Sequence, residues 1–192
     1  YPQAKLVRAK VLDEELGQPQ PLCPPGGTLP EHTCYRALAE GMHNPFFSTS
    51  SVVVRREAYA EVGGFDEGLR IAEDIDFFLK VMALAPCVPM VASPAVFKRY
   101  IEGSLGDDSE AGYVRLLEVY DRFLREHPAS RADIGEPEIR RIMAKLQARH
   151  AASQYRNGRG WQAARTAWRS LALSPNPLAL RVLGLLIVKP VA

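Results

Sequence analysis

Residues 63–78 read Gly-Gly-Phe-Asp-Glu-Gly-Leu-Arg-Ile-Ala-Glu-Asp-Ile-Asp-Phe-Phe, and this stretch constrains the fold more than any other. Two adjacent glycines stop the helical segment predicted over 55–62, because glycine takes up left-handed backbone at little cost. Behind them Ile71, Ile75, Phe78, Leu79 and Met82 recur at i, i+4, i+7, i+8 and i+11. That spacing predicts a helix with one buried face, ended by Pro86. Three carboxylates, Glu73, Asp74 and Asp76, stand at its mouth.

On either side the pattern changes along the chain. Ala4 to Leu12 alternates loosely and predicts a strand that turns at Asp13-Glu14-Glu15 and Gly17. Pro19 to Pro30 carries five prolines and is a loop, followed by a short helix over 33–41. Phe46 to Val54, aromatic and β-branched with small hydroxyls between, predicts a buried strand. Val88 to Phe97 is interrupted by Pro89 and Pro94, so an edge strand is expected there, then a polar loop over 98–108.

Beyond residue 108 helical stripes take over. Asp108-Ser109 is a cap site for a helix marked by Tyr113, Leu116, Leu117, Tyr120, Phe123 and Leu124. Pro137 sits in the first turn of the next, with Ile139, Ile142, Met143 and Leu146 behind it. After a turn at Gly158-Arg159-Gly160, Trp161, Ala164, Trp168 and Leu171 mark a fourth helix, and Leu178 to Val188 a fifth. The two tryptophans, seven apart on one face, are expected in the core. The expected division is 1–108 and an α-helical extension, 109–192.

Charge follows the same division. The net charge of +2, from 24 basic and 22 acidic residues, gives the whole chain no bias toward nucleic acid. Locally, Glu138 to Arg169 holds eight Lys/Arg and one acid, whereas Glu57 to Phe78 is mostly acidic. The basic helices offer a peripheral contact with anionic lipid, although their simplest role is a solvated face. Cys23, Cys34 and Cys87 form no CxxC pair, as expected in a reducing compartment. His32, His43, His127 and His150 lack ligand spacing and are expected at the surface or as caps.

Acids at a helix N-terminus need no function, since unpaired amides and the dipole favour negative charge there. Three carboxylates exceed what a cap requires, however, and Phe77-Phe78 beside them implies a partly apolar site. A carboxylate so placed has a raised pKa and can act as a general base.

In order, Ser50-Ser51-Val52-Val53-Val54-Arg55-Arg56-Glu57-Ala58-Tyr59, Val62-Gly63-Gly64-Phe65-Asp66-Glu67, Glu73-Asp74-Ile75-Asp76 and Lys98-Arg99-Tyr100-Ile101-Glu102-Gly103-Ser104-Leu105 resemble the second half of family 2 glycosyltransferases. The resemblance implies an α/β fold: a partial GT-A-type sheet with flanking helices, followed by the helical extension. It implies an inverting transfer from a nucleotide-sugar donor to a sugar or lipid-linked hydroxyl acceptor, in cell-surface polysaccharide or glycolipid synthesis; the expected location is cytoplasmic, where the basic helices could meet the inner face of a membrane. Asp74 would be the general base and Glu73 either a support behind the base or an acceptor contact, while Gly63 and Gly64 would let backbone approach the substrates. Asp66, Ser51 and Arg99 would be further substrate contacts. A divalent Mg²⁺ or Mn²⁺ would be held by a DxD motif in a nucleotide-binding half outside this chain, leaving this fragment inactive alone. Asp74-Ile75-Asp76 is literally D-x-D but aligns with the base region, and Ile101, where some members carry a metal-binding His, cannot ligate. Two competing readings remain: a non-catalytic module that docks a partner through its basic helices, and a metal-dependent hydrolase using Glu73, Asp74 and Asp76.

Overall fold

The computed structural model describes Leu6–Asp13 and Met90–Lys98 as backbone and, with side chains, Thr49 and residues 52–84 and 110–188. The proline-rich loop at 19–30, the helix at 33–41, the loop beyond Lys98 and the Asp108-Ser109 cap lie outside the described residues, as do Ser51 and Arg99.

Three strands are present among the described residues: β1 (Leu6–Asp13), β2 (Val52–Val54) and β3 (Met90–Lys98). Their order is β2-β1-β3, with β2 antiparallel and β3 parallel to β1. The proline-bearing β3 lies at the edge, and its register with β1 is broken on both sides of the Lys10–Pro94 pair. Proline has no N–H to give a ladder, so an edge with an irregularity is where it fits.

Helices dominate. They are α1 (Arg56–Glu61), α2 (Glu73–Leu84), α3 (Glu110–Glu126), α4 (Pro128–Ile134), α5 (Glu136–Arg156), α6 (Gly160–Leu173) and α7 (Pro177–Val188). The expected α/β fold with a partial GT-A-type sheet is therefore corrected. Helix accounts for 80% of the residues described to the side-chain level, among which β2 is the single strand, so this region is mostly helical.

The physical reason lies in what covers α2. Its Phe77, Phe78, Leu79, Val81 and Met82 are buried together with Val119, Tyr120, Phe123 and Leu124 of α3 and Ile139, Ile142 and Leu146 of α5. Val52 and Val54 of β2 only flank this core. Helix packs on helix, and the core runs through the expected boundary at 108/109. A second core of small residues, Ala148, Ala151, Ala163, Ala167, Ala179 and Val182, joins α5, α6 and α7. Ser170 Oγ donates to the Ala144 carbonyl at 2.7 Å within it. Asn176 Oδ1 accepts the Ala179 N–H at 2.9 Å and so caps α7. No helix among the described residues is long and apolar enough to cross a membrane.

One side chain joins the acidic stretch to the helices. Arg122 of α3 donates to Asp66 Oδ2 and to Asp76 Oδ1, both at 2.8 Å. Asp76 is only 1% exposed, and its other oxygen meets Lys80 Nζ at 2.7 Å as an ion pair. Removing one partner of a buried pair costs far more than breaking a solvated one. Arg122→Ala is therefore expected to destabilise the fold by about 2 kcal/mol. Arg125→Ala, which breaks an exposed pair with Asp121, should change stability by less than ~0.5 kcal/mol; urea unfolding compares the two. The Arg122 guanidinium and then the Gly68 N–H hold the Asp66 carboxyl below its ordinary 3.8. A depressed pKa contributes stability above the unfolded value and loses it as pH falls through the folded one. The stability gap between the native chain and Asp66→Asn should accordingly close on acidification.

Candidate functional site

The Gly63-Gly64 turn is a helix terminator. Gly64 N–H bonds to the Tyr59 carbonyl at 3.0 Å and Gly63 N–H to that of Ala60 at 3.2 Å, a Schellman pair closing α1. Both glycines have positive φ, 78° and 73°. A Cβ on Gly64 would stand 2.6 Å from the Tyr59 hydroxyl, while one on Gly63 would meet nothing within 4 Å. Turn geometry and Tyr59 packing thus explain both residues without a substrate.

Asp66 belongs to the following turn. Its Oδ1 accepts the Gly68 N–H at 2.9 Å and its carbonyl the Leu69 N–H at 3.0 Å. With Oδ2 on Arg122, its side chain is held internally.

Helix α2 begins at Glu73, two residues later than the Ile71 stripe suggests. Ala72 explains the delay: it has φ 63°, and its carbonyl accepts the Asp76 N–H at 3.0 Å. A non-glycine residue in left-handed backbone costs roughly 1–2 kcal/mol, and such strain clusters where a chain must aim particular side chains. The pair that follows, Glu73 and Asp74, is half-buried.

The three carboxylates of the first turn separate into different environments. Asp76 is buried between Arg122 and Lys80. Asp74 has no cationic partner among the described residues; its Oδ1 accepts the Ile75 N–H at 2.8 Å. Burial raises its pKa above the ordinary 3.8, and the neighbouring Glu73 charge pushes the same way, against the local amides. Among the described residues no group of three or more His, Cys, Asp or Glu is placed to hold a metal ion. The literal D-x-D is therefore divided, one carboxylate paired with two cations and the other partly desolvated.

One helical turn beyond Asp74, Phe77 and Phe78 help line a groove of about 320 Å³. Its other walls are Thr49, Val52, Val54, Arg56, Tyr59 and Phe65. Residues three and four apart on a helix are neighbours, so groove and carboxylate share one side of α2. The rings interlock, with Phe65–Phe77 centroids at 4.4 Å and Tyr59–Phe77 at 5.5 Å. Tyr59 and Phe65 remain 45% and 38% exposed, an aromatic wall that the acid-centred reading overlooked.

Other expected residues fall elsewhere. His150 is buried rather than at the surface; it stacks on Tyr113 and lies 3.6 Å from Glu110. Trp161 and Trp168 are not core residues: they are 78% and 64% exposed. Ala163, Thr166, Ala167 and Ser170 form the buried face of α6 instead.

Two outcomes follow from this geometry. Asp74, with a raised pKa, ionises first in the unfolded chain as pH rises, so the fold loses stability from about pH 4 upward. Asp74→Asn, which keeps an acceptor for the Ile75 N–H, should raise the melting temperature near neutral pH and lose that advantage below about pH 3. Gly63→Ala should cost about 1 kcal/mol from backbone strain alone. Gly64→Ala, which adds the clash with Tyr59, should cost about 2–3 kcal/mol, read from denaturant midpoints.

Comparison of the chain with protein-family models, with curated proteins and with solved structures finds no match in any of the three.

Proposed function

We propose that this chain forms the acceptor-side part of an inverting glycosyltransferase, with Asp74 as its general base. The observation that carries the reading is the partition of the acids. Arg122 and Lys80 neutralise Asp66 and Asp76, whereas Asp74 stays half-buried, without a cationic partner among the described residues and more basic than an ordinary aspartate. A site that must take a proton from a hydroxyl near neutral pH gains from such a raised pKa. The ordered run of motifs from Ser50 to Asp76 supports the same chemistry.

In this mechanism the acceptor hydroxyl lies within hydrogen-bond reach of the free Asp74 oxygen. As that oxygen takes the proton, the acceptor oxygen attacks the anomeric carbon of the sugar and the nucleoside diphosphate leaves from the opposite face. One glycosidic bond forms, the bond to the diphosphate breaks, and the configuration inverts. The proton rests on Asp74 until solvent removes it. Glu73, next to the base, contacts the acceptor, and the groove bounded by Tyr59, Phe65 and Arg56 receives its less polar face. The nucleotide-sugar, and the Mg²⁺ or Mn²⁺ that would neutralise its diphosphate, belong to a donor side outside this chain. Sugar or lipid-linked acceptors at the cytoplasmic face of a membrane are the proposed substrates.

The test uses a polypeptide that also carries a nucleotide-sugar-binding half. Asp74→Asn should lower kcat by at least about 100-fold and leave donor affinity unchanged, measured by donor titration and by product formation. Turnover close to normal in that variant removes Asp74 from the base role and favours a non-catalytic module.

A further inference from the structure

We propose that the outer face of the α6–α7 hairpin docks on an anionic lipid bilayer, with Trp161 and Trp168 seated at the lipid–water interface. The first observation is charge. No Asp or Glu follows Glu138, whereas residues 139–192 hold ten Lys/Arg. Several of these work inside the fold. Arg140 donates to the Leu173 carbonyl at 3.0 Å and to that of Ala172 at 3.3 Å, capping the end of α6. Arg141 pairs with Glu138, and Arg159 with Glu110, each at 3.0 Å. Arg165, Arg169 and Arg181 are exposed and meet no acid among the described residues.

The second observation is what stands between those arginines. On α6, Trp161, Arg165, Trp168 and Arg169 follow one another along the exposed side. On α7, Leu180, Ile187 and Val188 fall at i, i+7 and i+8 and are 58%, 84% and 76% exposed. The three-residue connection between Leu173 and Pro177 reverses the chain, and Ala163 near the start of α6 shares a core with Leu186 near the end of α7. Trp161 therefore lies level with Ile187 and Val188, at the end of the hairpin away from its turn. Indole rings favour the headgroup level, aliphatic side chains the acyl boundary, and arginines the anionic headgroups. A bilayer surface accommodates all three together. A nucleic acid would take the arginines and the rings but leaves the aliphatic residues in water. At twelve residues α7 is about 18 Å long, against a hydrocarbon core of ~30 Å, so the hairpin lies on the membrane and does not span it.

The chain has two tryptophans, so its indole emission reports this face alone. Sedimentation with vesicles of phosphatidylcholine, with and without phosphatidylserine, is read together with tryptophan emission and its quenching by brominated phosphatidylcholine. Binding is expected on the anionic vesicles, at least about tenfold weaker on the neutral ones and weakening with salt. The emission should shift to the blue and be quenched by bromine. W161S/W168S and R165E/R169E alter exposed positions and should keep the helical circular dichroism of the native chain, yet each should weaken binding by about tenfold or more. Failure to sediment with anionic vesicles overturns the proposal. So does sedimentation with unchanged emission, or undiminished binding of W161S/W168S. Tighter binding and quenching by a single-stranded oligonucleotide than by the vesicles would also overturn it, assigning the face to nucleic acid.

Discussion

Arg122 ties together three parts of the chain that meet around one apolar core. One guanidinium reaches the Asp66 turn and the first turn of α2 from the C-terminal half of α3, through two 2.8 Å hydrogen bonds. The planar fork of arginine presents parallel donors that a lysine cannot reproduce, and the two carboxylates raise its already high pKa, Asp76 most of all. Without this bridge Asp76 would keep Lys80 but be buried with an excess of negative charge beside Glu73 and Asp74. The acidic mouth of α2 is tolerable because a helix previously counted as an appendage neutralises part of it.

The same bridge gives the carboxylates unequal environments. Three acids in one helical turn start with equal claims, and the dipole helps all of them. Pairing lowers the energy of an ionised carboxylate and makes it a poorer base; desolvation does the reverse. Asp66 is paired, Asp74 desolvated, and Asp76 held between two cations. Separation of environments within a few residues is what acid–base chemistry requires of neighbouring carboxylates. The left-handed Ala72 immediately before them places local strain at the same point.

Much of the local structure was legible because it rests on short-range rules. The Gly63-Gly64 stop, the proline in the first turn of α5, the Gly158 turn and the apolar stripes of α3 and α5 follow from turn chemistry and a period of 3.6. The architecture was not legible in the same way. Periodicity says that α2 has a buried face but not what covers it, and the resemblance to a sugar-transfer domain supplied a sheet where α3 and α5 stand instead. The Arg122 bridge was also out of reach, since 46 residues separate it from Asp76 and no local pattern links them. At the site, the raised pKa of Asp74 was expected from its apolar neighbours Phe77 and Phe78, whereas the pairing of Asp66 and Asp76 was not.

The tryptophans of α6 show why periodicity alone misassigned a face. Trp161, Ala164, Trp168 and Leu171 and the set Ala163, Thr166, Ala167 and Ser170 have nearly the same helical spacing, so pattern cannot choose between them. Hydrophobicity favours the first set; space favours the second. The Ser170 hydroxyl reaches the Ala144 carbonyl at 2.7 Å, so α5 and α6 approach closely enough for side chain to meet backbone. An indole at such a position would force the helices apart and leave the small residues around it unpacked. Close packing of α5, α6 and α7 through alanines thus turns the largest side chains of α6 outward, at a cost in exposed apolar area that a monomer in water gains nothing from. That area sits among Arg165, Arg169 and Arg181, which meet no acid among the described residues.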